Sequence, residues 1–204
     1  MQLWSVSWNV HHRVEMSKRK YSIGLLTGMV EIARYMETGR IGEVELREYP
    51  EIMLATVTGQ GDNSAFRLLF SYISGENRTR KKIPMTAPVI TSEKIEMTAP
   101  VVSDANSLSF VMPLKYKLEE ISEPLDSRIR IQRIPARRLA VIRFKGYARK
   151  KSVGEVKSRL VSALQNSGIT AVGEPFLMRY NSPWTPGFMR RNEIGIEIVR
   201  TSNQ

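Results

Sequence analysis

Val44-Glu45-Leu46-Arg47-Glu48-Tyr49-Pro50 and, 85 residues later, Ile129-Arg130-Ile131-Gln132-Arg133-Ile134-Pro135 are two versions of one phrase. In each, apolar and polar residues alternate at the strand period of two and a proline stops the run. The likeness continues at the same offset: Leu139 and Ala140 match Leu54 and Ala55, Ile142 matches Val57, and Gly146 matches Gly61. A repeat of this length predicts that the chain is an internal duplication of a strand-strand-helix-strand-strand unit. Each unit has a sheet with one apolar face that cannot bury itself alone, so the two sheets are expected to combine about a pseudo-twofold axis. The predicted fold class is α+β, with duplicated βαββ-type units forming a distorted antiparallel β-barrel flanked by two helices.

The remaining elements follow from local pattern. Met53 to Thr58 is a β-branched run closed by Gly59-Gln60-Gly61. Asp62 or Asn63 is expected to cap a helix to about Ile73, with Phe66, Leu69, Phe70 and Ile73 at i, i+3, i+4 and i+7 and Gly75 as terminator. Further strands are predicted at 108–113, 174–180 and 193–199, and a second helix over 152–165 ending before Gly168. Ahead of the repeats, Ser22 to about Thr38 has helical spacing at Leu26, Met29, Val30, Ala33 and Met36, which predicts an extra N-terminal amphipathic helix. Residues 1–43 are therefore read as an arm plus helix, and 44–204 as one domain with repeats at about 44–113 and 129–200.

Between the first helix and the next strand the chain writes Ile83-Pro84-Met85-Thr86-Ala87-Pro88-Val89 and, twelve positions on, Ile95-Glu96-Met97-Thr98-Ala99-Pro100-Val101. The copies are expected to lie side by side as a hairpin, with Met85 and Met97 each on one face. Pro88 and Pro100 cannot donate to a ladder and belong at an edge, a bulge or a strand end. An adaptable Met-lined surface of this kind fits a core or a pocket.

Composition narrows the chemistry. At 204 residues with 42% hydrophobic content the chain is globular, and the absence of cysteine excludes disulfides, thiolate metal sites and thiol nucleophiles. No stretch approaches eighteen consecutive apolar residues and the N-terminus does not read as a secretion signal, so a cytoplasmic protein without a transmembrane segment is expected. The net charge of +11 is concentrated C-terminally: 18 Lys+Arg against 8 Asp+Glu from Ala105 onward, compared with 13 against 12 before it. Such charge favours anionic partners in general without indicating specific nucleic-acid binding. The only histidines, His11 and His12, precede the domain, which removes a Ser/His/Asp site, and no Gly-rich phosphate cradle is present. A non-enzymatic role is expected. Tyr180 to Met189, with Trp184 and Phe188, is an aromatic and Pro-rich loop leading into Arg190, Arg191 and Glu193. Its rings fit a cover over an apolar ligand with arginines on a carboxylate or phosphate. They fit equally a plug for the barrel end, with Arg190 or Arg191 paired to Glu193. Glu193, on an alternating strand, also fits a buried carboxylate that attracts cations.

The doubled Met-Thr-Ala-Pro-Val, Glu48-Tyr49-Pro50, Tyr72-Ile73-Ser74-Gly75, Phe144-Lys145-Gly146-Tyr147-Ala148, and Pro183-Trp184 through Arg190-Arg191-Asn192-Glu193 together resemble the SOUL haem-binding protein family, over roughly Val44 to Arg200. The resemblance implies a duplicated α+β barrel similar to effector-binding domains of multidrug-responsive regulators. It also implies non-enzymatic binding, buffering or transport of haem or a metal-free porphyrin in an apolar cleft. Carried onto this chain, the cleft is lined by Phe66, Arg67, Leu69, Phe70, Ile73, Met85 and Met97, with Trp184, Phe188, Met189, Arg190 and Arg191 opposite. No histidine lies in the domain, so the metal ligand is left unassigned among Tyr, Met, Lys, an arm histidine or none. The partner expected is a small-molecule tetrapyrrole bound to a monomer or homodimer. The alternative expectation is an effector-binding domain for amphipathic or cationic small molecules, and a third is an interaction module for nucleic acid or an acidic membrane.

Overall fold

In the computed structural model the described residues are 31–92, 107–114, 116, 118–181 and 185–199. They form ten strands and two helices: β1 (Glu31–Ile32), β2 (Met36–Ile41), β3 (Val44–Tyr49), β4 (Ile52–Thr58), α1 (Asp62–Ser74), β5 (Thr86–Ser92), β6 (Ser107–Val111), β7 (Ile129–Ile134), β8 (Arg137–Lys145), α2 (Lys150–Asn166), β9 (Ala171–Arg179) and β10 (Arg191–Ile198). The strands make one sheet in the order β2-β3-β8-β10-β9-β5-β6-β4-β7, with β1 paired to β5 off this path. Every pairing along the path is antiparallel; β1 with β5 is parallel.

From β3 to β7 the order reads the same backwards when β3 is exchanged with β7, β4 with β8, β5 with β9 and β6 with β10. The first residues of those partners are 44 and 129, 52 and 137, 86 and 171, 107 and 191. The sheet nevertheless does not close into the expected barrel. Its path ends on β2 and on β7, and β7 exposes Arg130 and Arg133, charges of the sort that protect a free edge from further pairing.

The expected N-terminal helix is also corrected. Residues 22–30 lie outside the described residues, and 31–38 hold no helix: strands Glu31–Ile32 and Met36–Ile41 flank an irregular link at 33–35. Ile41 pairs with Val44 across the two-residue loop Gly42-Glu43, and Gly42 has φ 55°, a conformation open to glycine and suited to a tight hairpin. The hairpin partner β3 decides the outcome over the helical spacing, a tertiary effect that local periodicity cannot register.

Both helices cover the same face of the sheet. On it, Ala65, Leu69, Tyr72 and Ile73 of α1 pack on Met53, Ala55, Val57, Leu108 and Phe110. Val156, Leu160 and Leu164 of α2 pack on Ala140, Ile142, Leu177, Ile194 and Ile196. Burying each large apolar side chain contributes about 1.5–3 kcal/mol. α1 starts at Gly61 rather than on a side-chain cap, carries Asp62 in its first turn, and ends at Gly75 with φ 117°, whose N–H returns to the carbonyls of Ser71 and Tyr72. The other face has no helix. Tyr49, Leu54, Ile90, Leu139, Val141, Phe176 and Met178 form one cluster there, although β8 and β4 are five steps apart in the strand order. The sheet therefore curls about that face without its end strands pairing. Ala33 and Tyr35 join the same cluster, so the chain running from β1 beside β5 to β2 beside β3 closes over it.

The first Met-Thr-Ala-Pro-Val copy leads into β5, whose edges are taken by β6 on one side and by β9 and β1 on the other. Pro88 sits in the register shift between Thr86 and Val89, as its missing N–H requires. The second copy lies outside the described residues.

Candidate functional site

The residues singled out by sequence fall in three places. The first is α1. Leu69 and Ile73 are core, at 0% and 5% exposure, and form the floor rather than the lining of a cleft. Phe66 is half-buried, edge-on to Phe110 with ring centroids 5.3 Å apart. Phe70, one turn on, lies nearly parallel to Phe66 at 6.1 Å and 11°, and is 51% exposed. The i, i+4 spacing places these rings one above the other along the helix. Arg67 stands exposed beside them, and Met85 packs half-buried against the same cluster. At the helix start, Arg179 of β9 donates to Asp62 at 3.0 Å and to the Thr91 hydroxyl at 3.1 Å, which puts a guanidinium between α1 and the sheet. An anchored, solvent-facing aromatic ledge bordered by cations suits a flat apolar ring carrying carboxylates.

The second place is the 3-10 turn Gly187–Met189. It packs on β8 and Tyr147, whereas α1 packs on β4 and β6. β8 and β6 are four steps apart in the strand order, about 19 Å along the sheet at the usual strand spacing. Phe188 and Met189 are 78% and 61% exposed, and Arg190 donates to the Thr185 carbonyl at 2.7 Å with its guanidinium 4.7 Å from the Tyr147 ring centre. Phe188 does not plug the end of the sheet. Trp184 and Met97 lie outside the described residues, as do His11 and His12.

The third place is the helix-free inner face of the curled sheet, to which Arg191 belongs. Its guanidinium donates to Glu193 at 2.7 and 3.0 Å and lies over the Tyr180 ring at 4.1 Å. Glu193 is wholly buried and also accepts from Arg47 at 2.6 and 3.1 Å, Arg143 at 3.1 Å and the Tyr180 hydroxyl at 2.7 Å. Arg47, itself at 0% exposure, reaches Glu45 and Tyr49 as well and is covered by the Tyr35 ring at 4.1 Å. Burial pushes the Glu193 carboxyl up, but the Arg47 hydrogen bond and charge, followed by Arg191 and Tyr180, hold it down at about 2. Burial likewise pulls Arg47 down, and the hydrogen bond and charge of Glu193 raise it above the ordinary guanidinium range. Tyr180 is pushed well up by burial and then by the Glu193 charge. Glu193 is thus a carboxylate already countered by the protein's own arginines. Sequence reading picked out Glu193 and Arg191 but not Arg47. The signal was present in the alternation Glu45, Arg47, Tyr49, which puts all three on one strand face.

A separate cavity of about 350 Å³ opens at the β4–β7 end, lined by Ile52, Met53, Met112 and Leu114, with Glu51 and Arg133 paired at 3.4 Å on its rim. None of the residues singled out by sequence lines it. Among the described residues, no group of three or more His, Asp or Glu side chains is placed to hold a metal ion.

The open antiparallel sheet with both helices on one face defines the fold class, and solved structures share it. The C-terminal domain of EcmrR matches with TM-score 0.51 at 15% identity, over 77% of this chain and 97% of that one. EcmrR in its complex with DNA matches at 0.54 and 17%, over 77% and 57%. A structure described as a hydrolase from Listeria innocua matches at 0.53 and 11%, over 77% and 92%. At such identities these likenesses establish the fold alone. The family model for SOUL heme-binding protein matches residues 30–197. The chain belongs to that family. No curated protein sequence matches it.

Proposed function

We propose that this protein binds haem or a related tetrapyrrole reversibly, without catalysing a reaction on it, and that the ring rests on the α1 ledge of Phe66 and Phe70. The observation that carries the reading is Phe70: a large aromatic side chain stacked on the half-buried Phe66 and left half in water, where Leu69 and Ile73 of the same helix stripe are core. Arg67 is the group assigned to a propionate, with Met85 bordering the ledge. Covering a few hundred Å² of apolar surface is worth roughly 5–10 kcal/mol before the ordering cost is subtracted. In this reading the protein's side chains supply apolar contact and charge pairing, and the bound group supplies whatever iron chemistry follows. Family membership supports the ligand class. The competing reading, a sensor of lipophilic cations, needs a carboxylate open to the ligand, and Glu193 is saturated by Arg47, Arg143 and Arg191.

The test is titration of the full chain with haemin and with metal-free protoporphyrin, followed by the Soret band. Both are expected to bind, because the affinity comes from stacking and charge. Phe70→Asp is expected to weaken both at least about tenfold, with only a small fall in melting temperature since the ring is half exposed, and Arg67→Glu at least about fivefold with the melting temperature unchanged, since Arg67 faces water. Wild-type affinity in both variants, or no saturable binding of either ligand to the wild type, overturns the proposal.

A further inference from the structure

Tyr147, Phe188 and Met189 make a contiguous apolar surface away from α1, at 52%, 78% and 61% exposure. It is built rather than frayed. A Cβ on Gly187 would stand 2.2 Å from the Tyr147 ring, so the turn and the ring are seated together by the absence of a side chain. The Met189 N–H donates to the Pro186 carbonyl and the Arg190 N–H to the Gly187 carbonyl, both at 3.0 Å, and Arg190 and Arg149 lie against the Tyr147 ring at 4.7 and 5.7 Å. Holding Phe188 and Met189 outward on a tight turn gains nothing for the folded core.

The two segments that build this surface carry one sign of charge, the nearest acid along α2 being Glu155, one turn beyond Lys151. Lys145, Arg149, Lys150 and Lys151 are exposed beside Tyr147, and neither 145–151 nor 185–191 contains an acidic residue. Arg149 is the N-cap of α2 and the first turn holds two lysines and no acid, although the positive end of the helix dipole favours acids there. That arrangement costs stability unless an anion faces it. An apolar projection ringed by Lys and Arg is the pattern that inserts into the headgroup region of a bilayer while the charges meet anionic lipid. Nucleic acid would use the same charges, but it offers no apolar phase for Met189.

We propose that the Tyr147, Phe188 and Met189 surface docks this protein onto an anionic membrane, with Phe188 and Met189 entering the headgroup boundary and Lys145, Arg149, Lys150, Lys151 and Arg190 on the lipid phosphates. This stands independently of the α1 ledge and leaves that ledge free, about 19 Å away along the sheet.

Co-sedimentation of the full chain with phosphatidylcholine vesicles, with and without roughly one-third phosphatidylglycerol, tests it. Binding is expected only with the anionic lipid, weakening as salt is raised. Lys150→Gln with Lys151→Gln is expected to weaken it roughly 25-fold, about fivefold per charge. Phe188→Ser is expected to weaken it at least about tenfold. The charge-matched control Lys81→Gln with Lys82→Gln, exposed on the loop after α1, is expected to change it by less than about threefold. Equal losses in the two lysine pairs, or an unaltered Phe188→Ser protein, reduce the effect to bulk charge and overturn the proposal. So does binding of arbitrary duplex DNA, displaced by salt and indifferent to Phe188→Ser, in place of vesicle binding. Haemin titration of the same variants is expected to be unchanged.

Discussion

Glu193 shows how much a single buried side chain decides. Its carboxyl sits at about 2 against an ordinary 4.5, so on acidification the unfolded chain takes up the proton first. The stability that the ionised group contributes is complete above about pH 4.5 and is lost as pH falls towards 2. Glu193→Gln should therefore flatten the fall in urea midpoint across that window. At neutral pH it should cost about 3–5 kcal/mol, because Arg47 is left buried without its principal counter-charge. Chemical denaturation of both proteins at a series of pH values checks this; parallel profiles would show that the network is indifferent to the charge on Glu193. The same residue bears on ligand choice. A carboxylate held by Arg47, Arg143 and Arg191 has no charge left for a lipophilic cation, so tetraphenylphosphonium should not bind the wild type in a manner that Glu193→Gln abolishes.

At the level of elements, α1 and the loop behind it form one unit fastened by Asn77. Its amide donates to the carbonyls of Tyr72 and Lys81 at 3.0 and 2.7 Å, while its carbonyl oxygen accepts from the Ser122 hydroxyl at 2.8 Å and the Lys81 N–H at 3.2 Å. Buried to 1% exposure, it satisfies groups that Gly75 exposes by ending the helix. Asn77→Ala should cost about 2–4 kcal/mol, measured by thermal or urea unfolding, since several buried partners lose their bonds at once. It should also weaken haemin binding through a loosened α1. Legibility differs by element for a physical reason. α1, α2, β3, β4, β6, β7, β9 and β10 are legible from local apolar pattern, α1 being expected to end at about Ile73 and running to Ser74, whereas β5, expected to pair with 95–101, lies between β6 and β9. β2 was not readable. Met36-Glu37-Thr38-Gly39-Arg40-Ile41 has little alternation of its own, shifts register between Glu37 and Gly39, and is a strand because β3 offers it an edge. On the α1 ledge, Phe66 and Phe70 could be named from sequence, but that Leu69 and Ile73 lie beneath as floor depends on where β4 and β6 run.

For the whole molecule, the consequential fact is that strands from the two halves of the chain are exchanged. β3 pairs along its length with β8, and β7 with β4, while β5 and β9 join the two at the centre. The sequence predicts two units whose sheets combine about a pseudo-twofold axis into a barrel, but it does not say which strands meet. The crossing of strands is a long-range choice that no local pattern encodes, and once made it leaves β2 and β7 as free ends. It also predicts cooperativity. A fragment of residues 31–114 would keep β4 and β6 but lose β7 from the outer side of β4, β8 from β3 and β9 from β5, stripping the ladder hydrogen bonds and the apolar cover from those strands at once. Such a fragment should be unfolded by far-ultraviolet circular dichroism, and mixing it with residues 115–204 should restore the native spectrum only as the two associate. In the intact chain, amide exchange in β4 and in β10 should report a single opening free energy. Two distinct values, or a fragment that folds alone, would mean that the repeats are separate folding units and that the exchanged strands add little.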